Sequence, residues 1–151
     1  MTNQLTSRGA FVRDDNGVPI TNGGLIIEKT ITYAAATTGA VGATTLFTVT
    51  GTVWVNVIGF CTDDLAGDGN ISVGTSSSTA CLCGVQNAVA IDNHEAWADA
   101  ILAVGGAVAG HHHPVNQDII QTIAGDTVTG GTITFYCCWS PLSEDGNIVV
   151  A

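Results

Sequence analysis

The sequence predicts an all-β protein, an antiparallel β-sandwich of jelly-roll-like form, on three observations. Short runs of alternating apolar and polar residues recur roughly every eight to twelve positions, with glycine-rich turns between them. The composition leans to Thr, Val and Ala, with 19 glycines in 151 residues, which suits pleated strands joined by tight turns. No long stretch carries the apolar stripe of a helix; Asn93 to Leu102 offers at most a turn or two.

Residues 1–24 read as an extended arm and residues 25–151 as the sandwich. The arm is polar, turns at Asp14-Asp15-Asn16-Gly17, and runs extended through Val18-Pro19-Ile20, because the residue before a proline is pushed out of the helical region. A strand is then expected to begin at Leu25 to Ile27, with Ile31 to Tyr33 either continuing or following it, before a small-residue stretch from Ala34 to Gly42, and another at Leu46 to Val49. From Thr52 to Cys61, Val53, Val55 and Val57 fall on one face and Trp54, Asn56 and Ile58 on the other. Both faces are largely apolar, which predicts a central strand. Asp63 to Gly69 reads as a loop, Ile71 to Val73 as a strand and Ser76 to Ser78 as a second loop. Shorter strands are expected at Ala80 to Val85, Ala88 to Ile91 and Glu95 to Trp97. After an insertion they resume at Ile119 to Ile123, Thr127 to Val128, Thr132 to Trp139 and Asn147 to Val150.

Charge narrows the function. Lys and Arg number 3 against 13 Asp and Glu, for a net charge of −10, and the three cations, Arg8, Arg13 and Lys29, all precede Thr30. A body of this sign repels nucleic acid and anionic lipid and lacks the usual donors for phosphate and carboxylate ligands. Neither nucleic acid nor membrane is therefore expected as a partner. Residues 30–62 are uncharged, but their period-two alternation and their Thr and Gly content do not fit a spanning helix. The opening residues lack the apolar core of a signal peptide, so synthesis is expected in the cytoplasm.

Reactive constellations are sparse. Cys61, Cys81, Cys83, Cys137 and Cys138 make an odd number without a secretory context, which favours buried thiols over disulfides. Zinc held by Cys81, Cys83, Cys137 and Cys138 is disfavoured, because adjacent residues on a strand point to opposite faces. Neither a cofactor nor a metal is expected. His111, His112 and His113 precede Pro114. Neighbours in sequence seldom converge on one ion, so their one distinctive use is as a cluster formed by several copies around a symmetry axis. Asp63, Asp64 and Asp68 lack the alternating ligands and closing Glu of a calcium loop. Asp92, His94, Glu95 and Asp99 form the one dense acid–base group, and no nucleophile elbow, paired-histidine metalloprotease signature or phosphate loop accompanies it, so no enzymatic activity is expected. Trp54, Trp97 and Trp139 suit either core packing or a platform for neutral glycans.

The C-terminal run Phe135-Tyr136-Cys137-Cys138-Trp139-Ser140-Pro141-Leu142-Ser143-Glu144-Asp145-Gly146-Asn147-Ile148-Val149-Val150-Ala151 resembles the ending of capsid decoration, or cement, proteins of tailed bacteriophages. Three further segments fit in order and spacing: Leu46-Phe47-Thr48-Val49-Thr50-Gly51, Asn70-Ile71-Ser72-Val73-Gly74-Thr75, and Ala90-Ile91-Asp92-Asn93-His94-Glu95-Ala96-Trp97. Together they span roughly residues 40–151. Ser140 stands where the family pattern has arginine, so an ion pair made by that arginine does not carry over, and 105–113 is idiosyncratic. The resemblance implies a homotrimer bound to the major capsid protein on the outer capsid surface of the virion. There the arm would either reach the capsid protein or an adjacent trimer, through Arg8, Arg13, Val18, Pro19 and Ile20, or lash its own trimer. A head-fibre or tail-associated β-sandwich that binds glycans is the alternative expectation.

Overall fold

The computed structural model describes residues 12–13, 19–20, 25–98, 101–103 and 113–151, with 12–13, 19–20 and 101–103 described as backbone. Apart from a 3-10 turn at Ala88–Ala90, the regular elements among these residues are strands. In chain order they are β1 (Val12–Arg13), β2 (Pro19–Ile20), β3 (Leu25–Thr32), β4 (Gly42–Thr50), β5 (Val53–Ala66), β6 (Asn70–Thr75) and β7 (Ser78–Asn87). They continue with β8 (Ala96–Ala98), β9 (Ile101–Ala103), β10 (His113–Val115), β11 (Ile119–Ala124), β12 (Gly130–Pro141) and β13 (Asn147–Val150). The chain is all-β and its pairings are antiparallel.

One sheet runs β3-β12-β5-β8-β9, with β10 also paired to β5; the other runs β13-β4-β11-β6-β7. β5 and β12 form the long spine of the first sheet, in register from Val53 opposite Pro141 to Cys61 opposite Ile133 and then, with irregularities on either side of Thr132, on to Ala66 opposite Gly130. Along β5 the residues Val53, Val55, Val57 and Cys61 are buried, as are Ile133, Phe135, Cys137 and Trp139 along β12. They meet Leu46, Phe47, Ile71, Val73, Ile119, Ile123 and Ile148 of the second sheet in one apolar cluster. Period-two alternation thus delivers one face of each sheet to a shared core.

Ile31 and Thr32 continue the strand begun at Leu25 rather than starting another, because Glu28 and Lys29 pair with Tyr136 and Phe135 without interrupting the ladder. Other elements differ from the sequence expectation, each for a local reason. Asp63, Asp64, Leu65 and Ala66 belong to β5 rather than to a loop. The irregular pairing this needs falls at Gly131, whose φ of +98° suits glycine and where a Cβ would strike the Asp64 carbonyl oxygen. Ala88–Ala90 is a 3-10 turn rather than a strand: the Asn87 side chain accepts from Val89 N at 3.2 Å and so caps it. The strand expected at Glu95 to Trp97 forms as β8, and β8 with β9 takes the place of the turn or two of helix offered from Asn93. His94 adopts φ +69°, and Glu95 closes a tight turn by accepting from Asp92 N at 3.0 Å, which returns Trp97 to pair with Gly59. Val128 donates to the Gly39 carbonyl at 2.9 Å and Thr129 to that of Ala66 at 2.6 Å, so the strand expected at Thr127 to Val128 is instead a loop strapped to neighbouring turns.

Candidate functional site

The register of β3, β12 and β5 fixes what the first sheet shows on the side away from the core. Trp54 stands opposite Ser140 and Pro114. The next row holds Ile26, Cys138 and Asn56, the third Glu28, Tyr136 and Ile58, and the fourth Thr30, Thr134 and Phe60. Ile26 is 62% exposed and Trp54 39%, while Ile58, Phe60, Tyr136 and Cys138 are half-buried. An outward antiparallel face is ordinarily polar; here it presents six apolar or aromatic side chains and a single charge, that of Glu28. Thr30 and Thr134 hydroxyls are 2.8 Å apart across two strands, which ties the lower row together.

β5 is central in its sheet, between β12 and the pair β8 and β10, as its two apolar faces predicted. The second face, however, is not buried as such a strand ordinarily is. The signal was present in the sequence as Trp54, Ile58 and Phe60; alternation alone does not tell a face covered by the same chain from one left open.

Carboxylates gather at the ends of the sandwich instead. At the β5–β6 end, Asp64 accepts from Asn93 N at 2.6 Å, and the main chain of Asp126 lies against Gly69. At the opposite end Asp118 accepts from Val49 N at 2.9 Å, and Asp145 accepts from Ser143 at 2.6 Å beside Gly51. The one cation among residues 25–151, Lys29, is engaged: its Nζ donates to the carbonyls of Thr45 at 2.9 Å and Ala151 at 2.8 Å.

Of the residues singled out in the sequence, Arg13 pairs with Pro19 and Ile20 with Val12 in the hairpin of β1 and β2; Arg8 and Val18 lie outside the described residues. His111 and His112 also lie outside them, as does Asp99. His113 opens β10 opposite Val55 and lines a cavity of about 250 Å³ with Thr75, Ser77, Cys81 and Gln117. The structure thus brings Cys81 and His113 to one cleft, a juxtaposition that sequence spacing did not suggest. Gln117 Oε1 orders its rim by accepting from Ser76 Oγ at 3.0 Å, Ser77 Oγ at 2.8 Å and Ser77 N at 3.2 Å.

Among the described residues no group of three or more His, Cys, Asp or Glu side chains is placed to hold a metal ion, and no helix is long and apolar enough to cross a membrane. All five cysteines are thiols. Burial pushes the Cys137 thiol up to about 12, with the neighbouring Cys138 adding to the shift; burial also raises Cys61 and Cys138. Such thiols are poor nucleophiles. Trp97 is buried, with Nε1 donating to Gly84 O at 3.1 Å, and its ring tilts against Phe135 at 6.3 Å. Trp139 is 6% exposed, and its Nε1 is buried without a hydrogen-bond partner. Of the three tryptophans, only Trp54 presents a surface to solvent.

Compared with known proteins, the chain matches no family model, no curated protein and no solved structure.

Proposed function

We propose that this protein is a structural virion component, a capsid decoration or cement protein that assembles as a homotrimer on the major capsid protein at the outer surface of a phage head. The observation that carries this reading is the open, nearly uncharged face of β3, β12 and β5. Such a surface is buried against another protein without stranding ions, which a solvated enzyme surface has no need to provide. The family resemblance spread over residues 40–151 supports the same reading and brings with it the jelly-roll connectivity. A clamp of this kind works by mass action, because a protein that binds only the expanded shell stabilises that state without chemistry. The test is to mix the purified chain with expanded heads that lack it. Co-sedimentation and a higher temperature of shell rupture are expected; heads that sediment bare would end the reading.

A second reading, glycan binding by a fibre- or tail-associated sandwich, is favoured by one feature: the exposed Trp54 indole lies near the polar Asn56 and Ser140. With Trp97 and Trp139 buried, a platform would rest on Trp54 alone. Loss of glycan-array binding in Trp54→Ala would support it, and an array silent for the wild-type chain would remove it.

A further inference from the structure

We propose that the cleft shared by Cys81 and His113 captures small uncharged or cationic disulfides, Cys81 forming a mixed disulfide while His113 takes up the thiol proton. These residues lie apart from the face of β3, β12 and β5, so the proposal goes beyond the capsid reading and does not rest on it.

The fold makes the cleft by bringing two sheet edges together. β10 pairs with β5 at Val53 to Val55, and β7 is the outermost strand of the second sheet. His113 stands opposite Val55, whose side chain is buried in the core. Residues opposite one another in an antiparallel pair share a face, so the imidazole turns toward the space between the sheets. Cys81 reaches that space from β7, half-buried against the margin of the apolar cluster. Gln117 fixes the rim by holding Ser76 and Ser77. Apart from the thiol and the imidazole, the lining carries no ionisable side chain.

Access and a neighbouring base single out this thiol among the five. Exchange requires that a disulfide reach the attacking sulfur. Cys61, Cys83 and Cys137 are 0% exposed. Cys61 Sγ also donates to Asp63 O at 3.1 Å, and Cys83 Sγ lies 3.7 Å from the carbonyls of both Val57 and Trp97. Cys138 is half-buried in the row between Ile26 and Asn56, where burial raises its thiol. Cys81 borders a cavity of about 250 Å³ and shares it with an imidazole, the side chain best suited to carry a proton near neutral pH.

The exchange needs no oxidant beyond the disulfide itself. The Cys81 proton passes to His113, Sγ bonds to one sulfur of the reagent, and the reagent's S–S bond breaks. The departing thiolate then takes the proton from the imidazolium and leaves as a thiol. Cys81 is oxidised as that half of the reagent is reduced. Size and charge set the class of reagent. The cavity lies below the roughly 300–1,000 Å³ of ordinary small-molecule sites, so it admits only a few heavy atoms. A net charge of −10, with Asp118 next in sequence to Gln117, opposes an anionic disulfide.

The experiment treats the full, reduced chain at low salt with bis(hydroxyethyl) disulfide, cystamine or the dianion dithiodiglycolate, and follows adducts by intact-protein mass spectrometry and peptide mapping. The first adduct is expected on Cys81, formed more slowly by dithiodiglycolate than by the other two. Cys138→Ser should react like wild type, and Cys81→Ser should take no adduct over the same time. His113→Ala should react about ten-fold more slowly or worse, and free imidazole should restore its rate, which a merely structural role for His113 would not allow. A first adduct on any other thiol, no adduct at all, or dithiodiglycolate reacting fastest overturns the proposal. So does a folded His113→Ala that reacts like wild type or stays slow in imidazole. Circular dichroism checks that the variant folds; if it does not, the mapping and the reagent order on wild type decide.

Discussion

The phenol of Tyr33, one residue beyond β3 in the first sheet, donates a 2.6 Å hydrogen bond to Oε1 of Gln121 in β11 of the second. Both side chains are buried, at 3% and 1% exposure. The bond spans the core between the sheets, so each polar group satisfies the other where water is excluded. Desolvation raises the Tyr33 hydroxyl well above its usual value, with the nearby Cys61 adding to the effect, which keeps it a donor at any ordinary pH. Tyr33→Phe leaves the Gln121 amide buried and short of a partner and is expected to cost about 1–3 kcal/mol. Urea denaturation measures it, and pairing the change with Gln121→Leu should recover part of the loss. A Tyr33→Phe variant as stable as wild type would mean that water reaches the Gln121 amide.

Lys29 closes one side of the same sandwich. Its alternation places it on the inward side of β3, and its ammonium reaches the carbonyls of Thr45 and Ala151 in the opposite layer. Lys29→Met keeps the aliphatic stem and deletes the donors. The expected loss is about 1–2 kcal/mol, accompanied by faster amide exchange at Ala151, whose N–H donates to Leu46 O at 3.1 Å. Unchanged exchange there would show that the backbone pairing holds without the lysine.

Alkali should unfold the protein, and the sign follows from Cys137. Its thiol moves from an ordinary value of 9.0 in an open chain to about 12 in the fold. Below pH 9 both states keep the proton and stability is whole. Between 9 and 12 the unfolded chain releases a proton that the folded one retains, so stability falls as pH rises and the contribution is gone once pH passes the folded value. Cys61, Cys138 and Tyr33 shift in the same direction and steepen the loss. Urea midpoints at a series of pH values above 8 check this, and Cys137→Val should flatten the slope without abolishing it.

Adjacent glycines in β12 make a controlled pair. Gly131 combines φ +98° with a Cβ position blocked by Asp64 and Leu65, whereas a Cβ on Gly130 meets nothing within 4 Å. Gly131→Ala is expected to cost about 2 kcal/mol or more through strain at the irregularity, and Gly130→Ala to change stability by less than about 1 kcal/mol. Equal effects would place the irregularity elsewhere in the strand.

How far the chain alone reveals its fold varies from element to element. β5, β11 and the latter part of β12 were legible because Val53, Val55 and Val57, or Ile119, Gln121 and Ile123, repeat with the period of a pleat, and that period needs no partner to be seen. The stretch from Asn93 was legible in part: the strand expected at Glu95 to Trp97 formed as β8, one residue along. Its short Ala-rich run fits a helical turn as well as a strand, and the outcome turned on the His94 backbone and on Trp97 finding Gly59 far back in sequence. The open face was half legible: Trp54, Ile58 and Phe60 announced a second apolar surface, but burial is a property of what lies across from a residue.

An all-β body with one lysine and no arginine from residue 25 on is a consequence of composition and period-two patterning, which are local and therefore written in the chain. Which apolar face is sealed and which is left open, that Tyr33 meets Gln121, and that Cys81 shares a cleft with His113 were settled only by folding. Those relationships depend on the register between strands tens of residues apart, where a shift of one residue reverses every side chain.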